Sequence, residues 1–155
     1  MIIGKRRYET RLSTTSHNAT PDKVYLYADG AARGNPGPAA IGAVIRNGAG
    51  NVLAEVSQAI GVGTNNQAEY RALIAGLEAA AHLGAQEIAI RMDSELVVRQ
   101  LQGRYRVRHP GLIPLNEQVR RLLTHFAHVE VAHVPREQNR EADALANRAL
   151  DAWLK

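Results

Sequence analysis

The chain contains no cysteine, which excludes disulfide bonds and any zinc or iron–sulfur site with cysteine ligands. It also lacks a run of about 18 apolar residues, the length needed to cross a bilayer, so we expect no membrane span. No apolar stretch follows the basic residues near the N-terminus, which argues against a secretory signal. Together these absences fit a protein of the reducing cytoplasm.

Positive charge is in slight excess, with a formal net charge of +4. Residues 1–22 carry four of the 19 basic residues and two of the 15 acidic ones, which leaves 15 bases and 13 acids in the remainder. A basic balance suits a polyanionic partner. Since the body of the chain is nearly neutral, a binding face must arise from where the charges are placed.

A length of 155 residues favours a single domain, which we expect to be monomeric. Residues 1–22 are rich in Ser and Thr, show no sustained period and end at Pro21-Asp22. We therefore predict a disordered N-terminal extension over residues 1–22 and one folded domain over residues 23–155.

Hydrophobic periodicity predicts alternating strands and helices in the domain. Strands are predicted at 23–28, 40–46, 52–59, 87–92 and 128–134. Helices are predicted at 66–83, 94–101, 115–125 and 139–154. Three consecutive strands followed by alternating elements indicate an α/β fold, with a mixed five-stranded sheet flanked by helices.

Four acidic residues stand at the ends of separate predicted elements. Asp29 and Asp93 each follow a strand, at the carboxyl edge where α/β sheets bind ligands. Glu69 lies in the first turn of the long helix and Asp143 near the start of the last one. Each acid alone has a simpler explanation, because Asp forms turns and acids favour helix starts.

Clustered carboxylates repel one another and stay ionised only if cations bind between them. An all-oxygen site of this kind suits Mg²⁺ or Mn²⁺. Two such ions about 4 Å apart can activate a water and stabilise the leaving oxygen in a phosphoryl displacement.

Four short motifs resemble those of type 1 ribonuclease H (ribonuclease HI). They are Asp29–Pro38 (DGAARGNPGP), Thr64–Glu69 (TNNQAE), Asp93–Glu95 (DSE) and Arg140–Ala146 (READALA). They follow the family's order at suitable intervals over residues 23–150. The resemblance implies a ribonuclease H-like fold and an endonuclease that hydrolyses the RNA strand of RNA–DNA hybrids with two metal ions.

The resemblance also implies roles for individual residues. The metal-binding and catalytic carboxylates are Asp29, Glu69, Asp93 and Asp143, which would hold two Mg²⁺ or Mn²⁺ ions. Glu69 would also support the site against the RNA 2′-hydroxyl. The substrate-binding residues would be Asn35, Asn65 and Glu95 in the minor groove, Thr64 on a DNA phosphate, and Asn66, which could equally cap its helix.

The chain departs from many bacterial relatives between the second and third helices, where they carry a longer basic handle. Here we find only about ten irregular residues in a stretch of arginines. These are Arg99, Arg104, Arg106, Arg108, Arg120 and Arg121. They form either a phosphate track or a solvated face, and Tyr105 among them packs either on a nucleotide or in the core.

A second departure concerns the loop before Asp143, where many relatives carry a histidine and this chain does not. We expect Arg136 to act there by holding the scissile phosphate, although it could instead pair with Glu137 or Glu141 on the surface. His133 is the next candidate. Two other functions remain open at this point, a non-catalytic hybrid-binding protein and a nuclease of DNA junctions on the same fold.

Overall fold

The computed structural model describes residues 8–13 and 21–155, which contain one six-stranded sheet. The strands are β1 (Arg11–Leu12), β2 (Lys23–Ala32), β3 (Gly37–Asn47), β4 (Val52–Gly63), β5 (Glu87–Met92) and β6 (His128–His133). Their order across the sheet is β1-β4-β3-β2-β5-β6. Strands β1 to β4 pair antiparallel, whereas β5 is parallel to both β2 and β6. The mixed α/β sheet predicted from the sequence is confirmed.

Four α-helices and one 3₁₀ helix accompany the sheet. They are α1 (Asn65–His82), α2 (Glu95–Leu101), α3 (Ile113–Leu123), the 3₁₀ helix (Arg136–Asn139) and α4 (Arg140–Trp153). Within the described part of the chain, no helix is long and apolar enough to cross a membrane.

The sixth strand, β1, comes from the segment that we expected to be disordered, so that expectation is wrong for residues 8–13. Arg11 and Leu12 pair with Glu55 and Ala54 on the outer edge of β4. Tyr8 is only 5% exposed, and its hydroxyl accepts a hydrogen bond from Arg71 Nε at 3.1 Å. Burial of the Tyr8 ring holds this segment against the domain. The surrounding residues are polar and without a period, so the sequence pattern does not predict this contact. Residues 1–7 and 14–20 of the predicted extension lie outside the described residues.

Two glycines in the central strands allow helices to approach the sheet closely. A Cβ on Gly30 in β2 would lie 2.2 Å from the carbonyl carbon of Ala68 in α1. A Cβ on Gly42 in β3 would lie 2.0 Å from the carbonyl oxygen of Ala142 in α4. Because neither glycine has a side chain, the start of each helix contacts the strand backbone directly.

Candidate active site

Asp29 and Asp93 lie at the same level of two parallel strands. The last paired residues of β2 and β5 are Tyr27 and Arg91, and each aspartate comes two residues later. Asp29 does not follow its strand, as predicted, but lies within it, because β2 continues to Ala32 through its pairing with β3. It is 7% exposed and sits opposite Gly42.

Glu69 reaches the same place from α1. The helix begins at Asn65, so Glu69 lies in its second turn rather than in the first turn that the sequence predicted. The Gly30 contact brings the backbone of Ala68 and Glu69 against β2, directly beside Asp29. Ser94, the residue after Asp93, forms a side-chain hydrogen bond with Glu69.

Asp143 approaches from α4, in its first turn, as predicted. A hydrogen bond between its carboxyl group and that of Asp29, which requires a proton on one of the two, favours the protonated form of Asp29 and raises its pKa. One turn further along α4, Asn147 Nδ2 donates to Asp143 Oδ1 at 3.1 Å. The close approach of α4 at Gly42 makes this possible, since Gly42 is the cross-strand partner of Asp29.

The electrostatics of the site centre on Asp29 and Glu69. Burial, together with repulsion from Asp93, Asp143 and Glu69 and a hydrogen bond with Asp143, raises the pKa of Asp29 to about 8. Burial raises the pKa of Glu69 to about 7, against the hydrogen bond from Ser94 and with repulsion from Asp93. Full ionisation near neutral pH therefore requires added positive charge.

The donor set fits a hard divalent cation, because it consists of carboxylate oxygens from four separate elements. As they stand, no three acidic or histidine side chains in residues 8–13 and 21–155 converge closely enough to enclose a metal ion. The fit therefore rests on the raised pKa values of Asp29 and Glu69, which cations would lower to ordinary values.

Hydrogen bonds to backbone N–H groups hold the side chains of Asn35 and Asn65. Asn35 Oδ1 accepts a hydrogen bond from the backbone N–H of Asn65 at 3.1 Å. Asn65 Oδ1 accepts one from the backbone N–H of Ala32, also at 3.1 Å. Both side chains are exposed, and neither Nδ2 donates to another described residue. Two amide donors are thus held in fixed positions at the surface.

The start of α1 is closed by a capping box. Thr64 Oγ1 accepts from the N–H of Gln67 at 3.1 Å, and Gln67 Oε1 accepts from the N–H of Thr64 at 2.9 Å. Thr64, for which a phosphate contact is predicted, therefore caps the N-terminus of α1. Asn66, for which capping was an alternative, forms no cap bond.

Glu95, which the resemblance predicts to contact substrate, pairs with Arg99 one turn later in α2, with Oε1 2.7 Å from Nε. The Arg99 guanidinium lies 5.6 Å from the centre of the Tyr105 ring. Tyr105 is 45% exposed, which rules out the core position considered from the sequence. Arg120 donates to Asn116 and to the Gln100 carbonyl. The remaining arginines of the stretch are exposed and have no side-chain partner among the described residues: Arg104, Arg106, Arg108 and Arg121.

Arg136 is exposed on the 3₁₀ helix before α4. The surface pairing that the sequence left open is not formed, since Glu141 instead pairs with Arg46 at 2.6 Å. In the part of the chain that the structure covers, Arg136 has no ion-pair partner. The other candidate, His133, has its Nε2 3.2 Å from the carbonyl oxygen of Asp93.

Sequence reasoning missed two polar residues that contact the carboxylates. Ser94, the first residue of the helix predicted at 94–101, caps α2 by accepting a hydrogen bond from the N–H of Val97, and its side chain also forms a hydrogen bond with Glu69. Asn139 lies before α4, where asparagine usually caps, yet it forms no cap bond and instead contacts Asp93. The motif spacing carries no signal for either contact, because both depend on which strands are neighbours.

Comparison with known proteins connects this site with nucleases. A sequence model described as reverse transcriptase-like matches residues 27–149. The chain is 53% identical over 129 residues to ribonuclease HI of Halobacterium salinarum, covering 83% of this chain and 65% of that protein. It is also 53% identical over 131 residues to the bifunctional protein Rv2228c of Mycobacterium tuberculosis, covering 84% of this chain and only 36% of that protein.

Solved structures agree with the sequence matches. The crystal structure of RNase H1 from Halobacterium salinarum superposes with a TM-score of 0.82 at 52% identity, covering 84% of this chain and 98% of that one. LC11-RNase H1, solved in complex with an RNA/DNA hybrid, also gives a TM-score of 0.82, at 44% identity, covering 85% of this chain and 99% of that one.

Proposed function

The chain belongs to the ribonuclease H family, and on that basis we propose that it is an endonuclease that hydrolyses the RNA strand of RNA–DNA hybrids. The observation that carries this proposal is that Glu69, Asp93 and Asp143 all act on the buried carboxyl group of Asp29, beside a fixed pair of amide donors. A protein that only binds a nucleic acid does not need clustered carboxylates, because their negative charges repel the phosphates. The arrangement therefore favours catalysis over binding alone.

The four carboxylates hold two Mg²⁺ or Mn²⁺ ions in this proposal. When bound, the ions supply activation of the attacking water and stabilisation of the leaving oxygen. Asp29, buried within β2, provides the central anchor because the other three carboxylates all raise its pKa. Glu69, tied to Ser94, faces the 2′-hydroxyl of the nucleotide at the cut.

Asn35 and Asn65 provide the contact that distinguishes hybrid from other duplexes. Their Oδ1 atoms are occupied by backbone N–H groups, so each presents its Nδ2 to the minor groove. There it donates to the 2′-hydroxyl oxygen or to the base acceptors that every pair exposes. Thr64, Asn66 and Glu95 border the same groove from α1 and α2.

Arg136 holds the scissile phosphate from the 3₁₀ helix and cannot act as a base, since a guanidinium stays protonated. The four unpaired arginines of the 104–121 stretch contact phosphates further along the duplex. We place the reaction in the cytoplasm and expect the chain to act as a monomer. Light scattering coupled to size-exclusion chromatography tests the monomer directly.

The function is tested with end-labelled substrates of one sequence: RNA–DNA hybrid, duplex DNA and single-stranded RNA, each with Mg²⁺, with Mn²⁺ and with EDTA. Internal cuts in the RNA of the hybrid alone, only with metal, are expected. Tight hybrid binding without cuts would instead indicate a binding protein. Equal cleavage of duplex DNA would indicate a DNA nuclease.

A further inference from the structure

Asn139 is a fully buried polar residue at the junction of the 3₁₀ helix and α4, and it is 1% exposed. Its position would suit a helix cap, but the side chain makes no cap bond and turns toward the sheet. A buried amide needs partners, because an unpaired polar group in the interior costs free energy of folding.

The side-chain amide of Asn139 donates both of its hydrogens to groups of the candidate active site. Nδ2 donates to the carbonyl oxygen of Ala28 at 3.0 Å and to Asp93 Oδ1 at 2.9 Å. Ala28 immediately precedes Asp29, and Asn139 itself lies four residues before Asp143. One amide therefore connects the three segments that carry Asp29, Asp93 and Asp143.

The other half of the amide is left without a partner. Asn139 Oδ1 is buried and accepts no hydrogen bond from any residue that the structure describes. The opposite orientation would place Oδ1 against two other acceptors, the Ala28 carbonyl and the Asp93 carboxylate, so the donors must face the site. The fold thus leaves Asn139 Oδ1 without a partner while both donors face the site. The unpaired acceptor lowers the free energy of unfolding, so a gain in stability does not explain this arrangement.

We propose that Asn139 is a positioning residue that fixes the Asp93 carboxylate for cation binding. It holds Oδ1 of Asp93, which leaves Oδ2 available to a cation. A neutral amide suits this task because it orients the carboxylate without neutralising its charge, whereas Lys or Arg would compete with the cation. The inference rests on the proposed function, since it assumes that the four carboxylates bind metal.

The test compares Asn139→Ala with the wild-type protein and with Gln138→Ala, an exposed neighbour in the same 3₁₀ helix. Mn²⁺ affinity is measured by calorimetric titration, and kcat and KM are measured on hybrid. In Asn139→Ala we expect Mn²⁺ affinity to fall about tenfold or more, kcat to fall with it at fixed metal, and KM for hybrid to stay unchanged. Gln138→Ala should match wild type in all three.

A folded Asn139→Ala protein that binds Mn²⁺ within twofold of wild type would overturn the inference, even if the wild type cuts hybrid. Weakened Mn²⁺ binding by the variant, with no hybrid cleavage by the wild type, would support the positioning role and reject the proposed function instead. If Asn139→Ala does not fold, Mg²⁺ is titrated into ¹⁵N-labelled wild-type protein. Side-chain amide signals of Asn139 that shift with the Asp93 backbone signal support the inference, and signals that stay fixed while Asp93 shifts overturn it.

Discussion

Among single residues, Asp29 experiences the strongest conflict between burial and charge. It is enclosed by the sheet and α4, and three other acids act on it. The sequence indicated Asp29 as a candidate site residue because the motif that it begins, Asp29–Pro38, is long and distinctive. The contacts made by Ser94 and Asn139 could not, because a residue's local sequence does not reveal which neighbouring strand end it faces.

We expect Asp29→Asn to lower hybrid cleavage by at least 100-fold while raising the melting temperature in EDTA. The folded-state pKa of Asp29, about 8, lies above its ordinary value of 3.8, so protonation favours the fold. The contribution of Asp29 to stability in EDTA is thus complete below about pH 4 and is lost as the pH rises to about 8. At pH 8 the variant should melt on the order of 2–5 °C higher than wild type, with a flatter pH dependence. Near-normal turnover with saturating Mg²⁺ would refute the metal assignment of Asp29.

A second residue-level prediction concerns Arg136. Since it has no ion pair in the described structure, Arg136→Ala should change stability by less than about 0.5 kcal/mol. If it holds the scissile phosphate, kcat on hybrid should fall roughly tenfold. Arg148→Ala, an exposed arginine on α4, serves as the control. Wild-type turnover by Arg136→Ala would end the arginine hypothesis and direct attention to His133.

At the scale of elements, the site is assembled by two helices that contact the strand backbone at Gly30 and Gly42. The sequence pattern predicted the order of five strands and four helices because alternating and helical periods are local properties. It underestimated β2, which runs past Asp29 to Ala32, and it missed β1. Both errors arise from cross-strand pairing, which is set by distant residues rather than by the period of the strand itself.

The contact between β3 and α4 yields a prediction at this scale. In Gly42→Ala the new methyl group would meet the Ala142 carbonyl oxygen at 2.0 Å and the Ala146 nitrogen at 2.7 Å. Since both are backbone atoms, α4 must move, and we expect a loss of about 3 kcal/mol of unfolding free energy together with reduced cleavage. Gly48→Ala is the matched control, because nothing lies within 4 Å of its Cβ position. Equal denaturant midpoints for the two variants would show that α4 can move away from β3 without loss of unfolding free energy.

For the whole molecule, charge placement matters more than the net value of +4. Four unpaired arginines lie in one stretch of the chain, while Arg33, Arg46 and Arg99 are engaged in ion pairs. The sequence identified the stretch but could not separate free from engaged side chains. That distinction depends on α3 packing, which holds Arg120 against Asn116 and Gln100.

Hybrid affinity should therefore depend on salt through a small number of phosphate contacts. If all four arginines engage phosphates, the slope of log Kd against log salt is about 3 to 4. Replacing Arg106 and Arg108 with alanine should lower that slope by about 2, whereas Arg148→Ala should leave it unchanged. Binding is measured in EDTA so that cleavage does not interfere, and an unaltered slope in the double variant would assign these arginines to a solvated face.

Strand β1 has a consequence for the molecule's solubility. It covers part of the outer edge of β4, and Tyr8 shields apolar surface next to it. A chain shortened to begin at Lys23 would expose the backbone groups of Ala54 and Glu55 to other molecules, and such open edges recruit strands from neighbours. We expect the shortened protein to self-associate at high concentration while the 155-residue chain does not. Tyr8 and β1 thus protect the outer edge of β4 against aggregation.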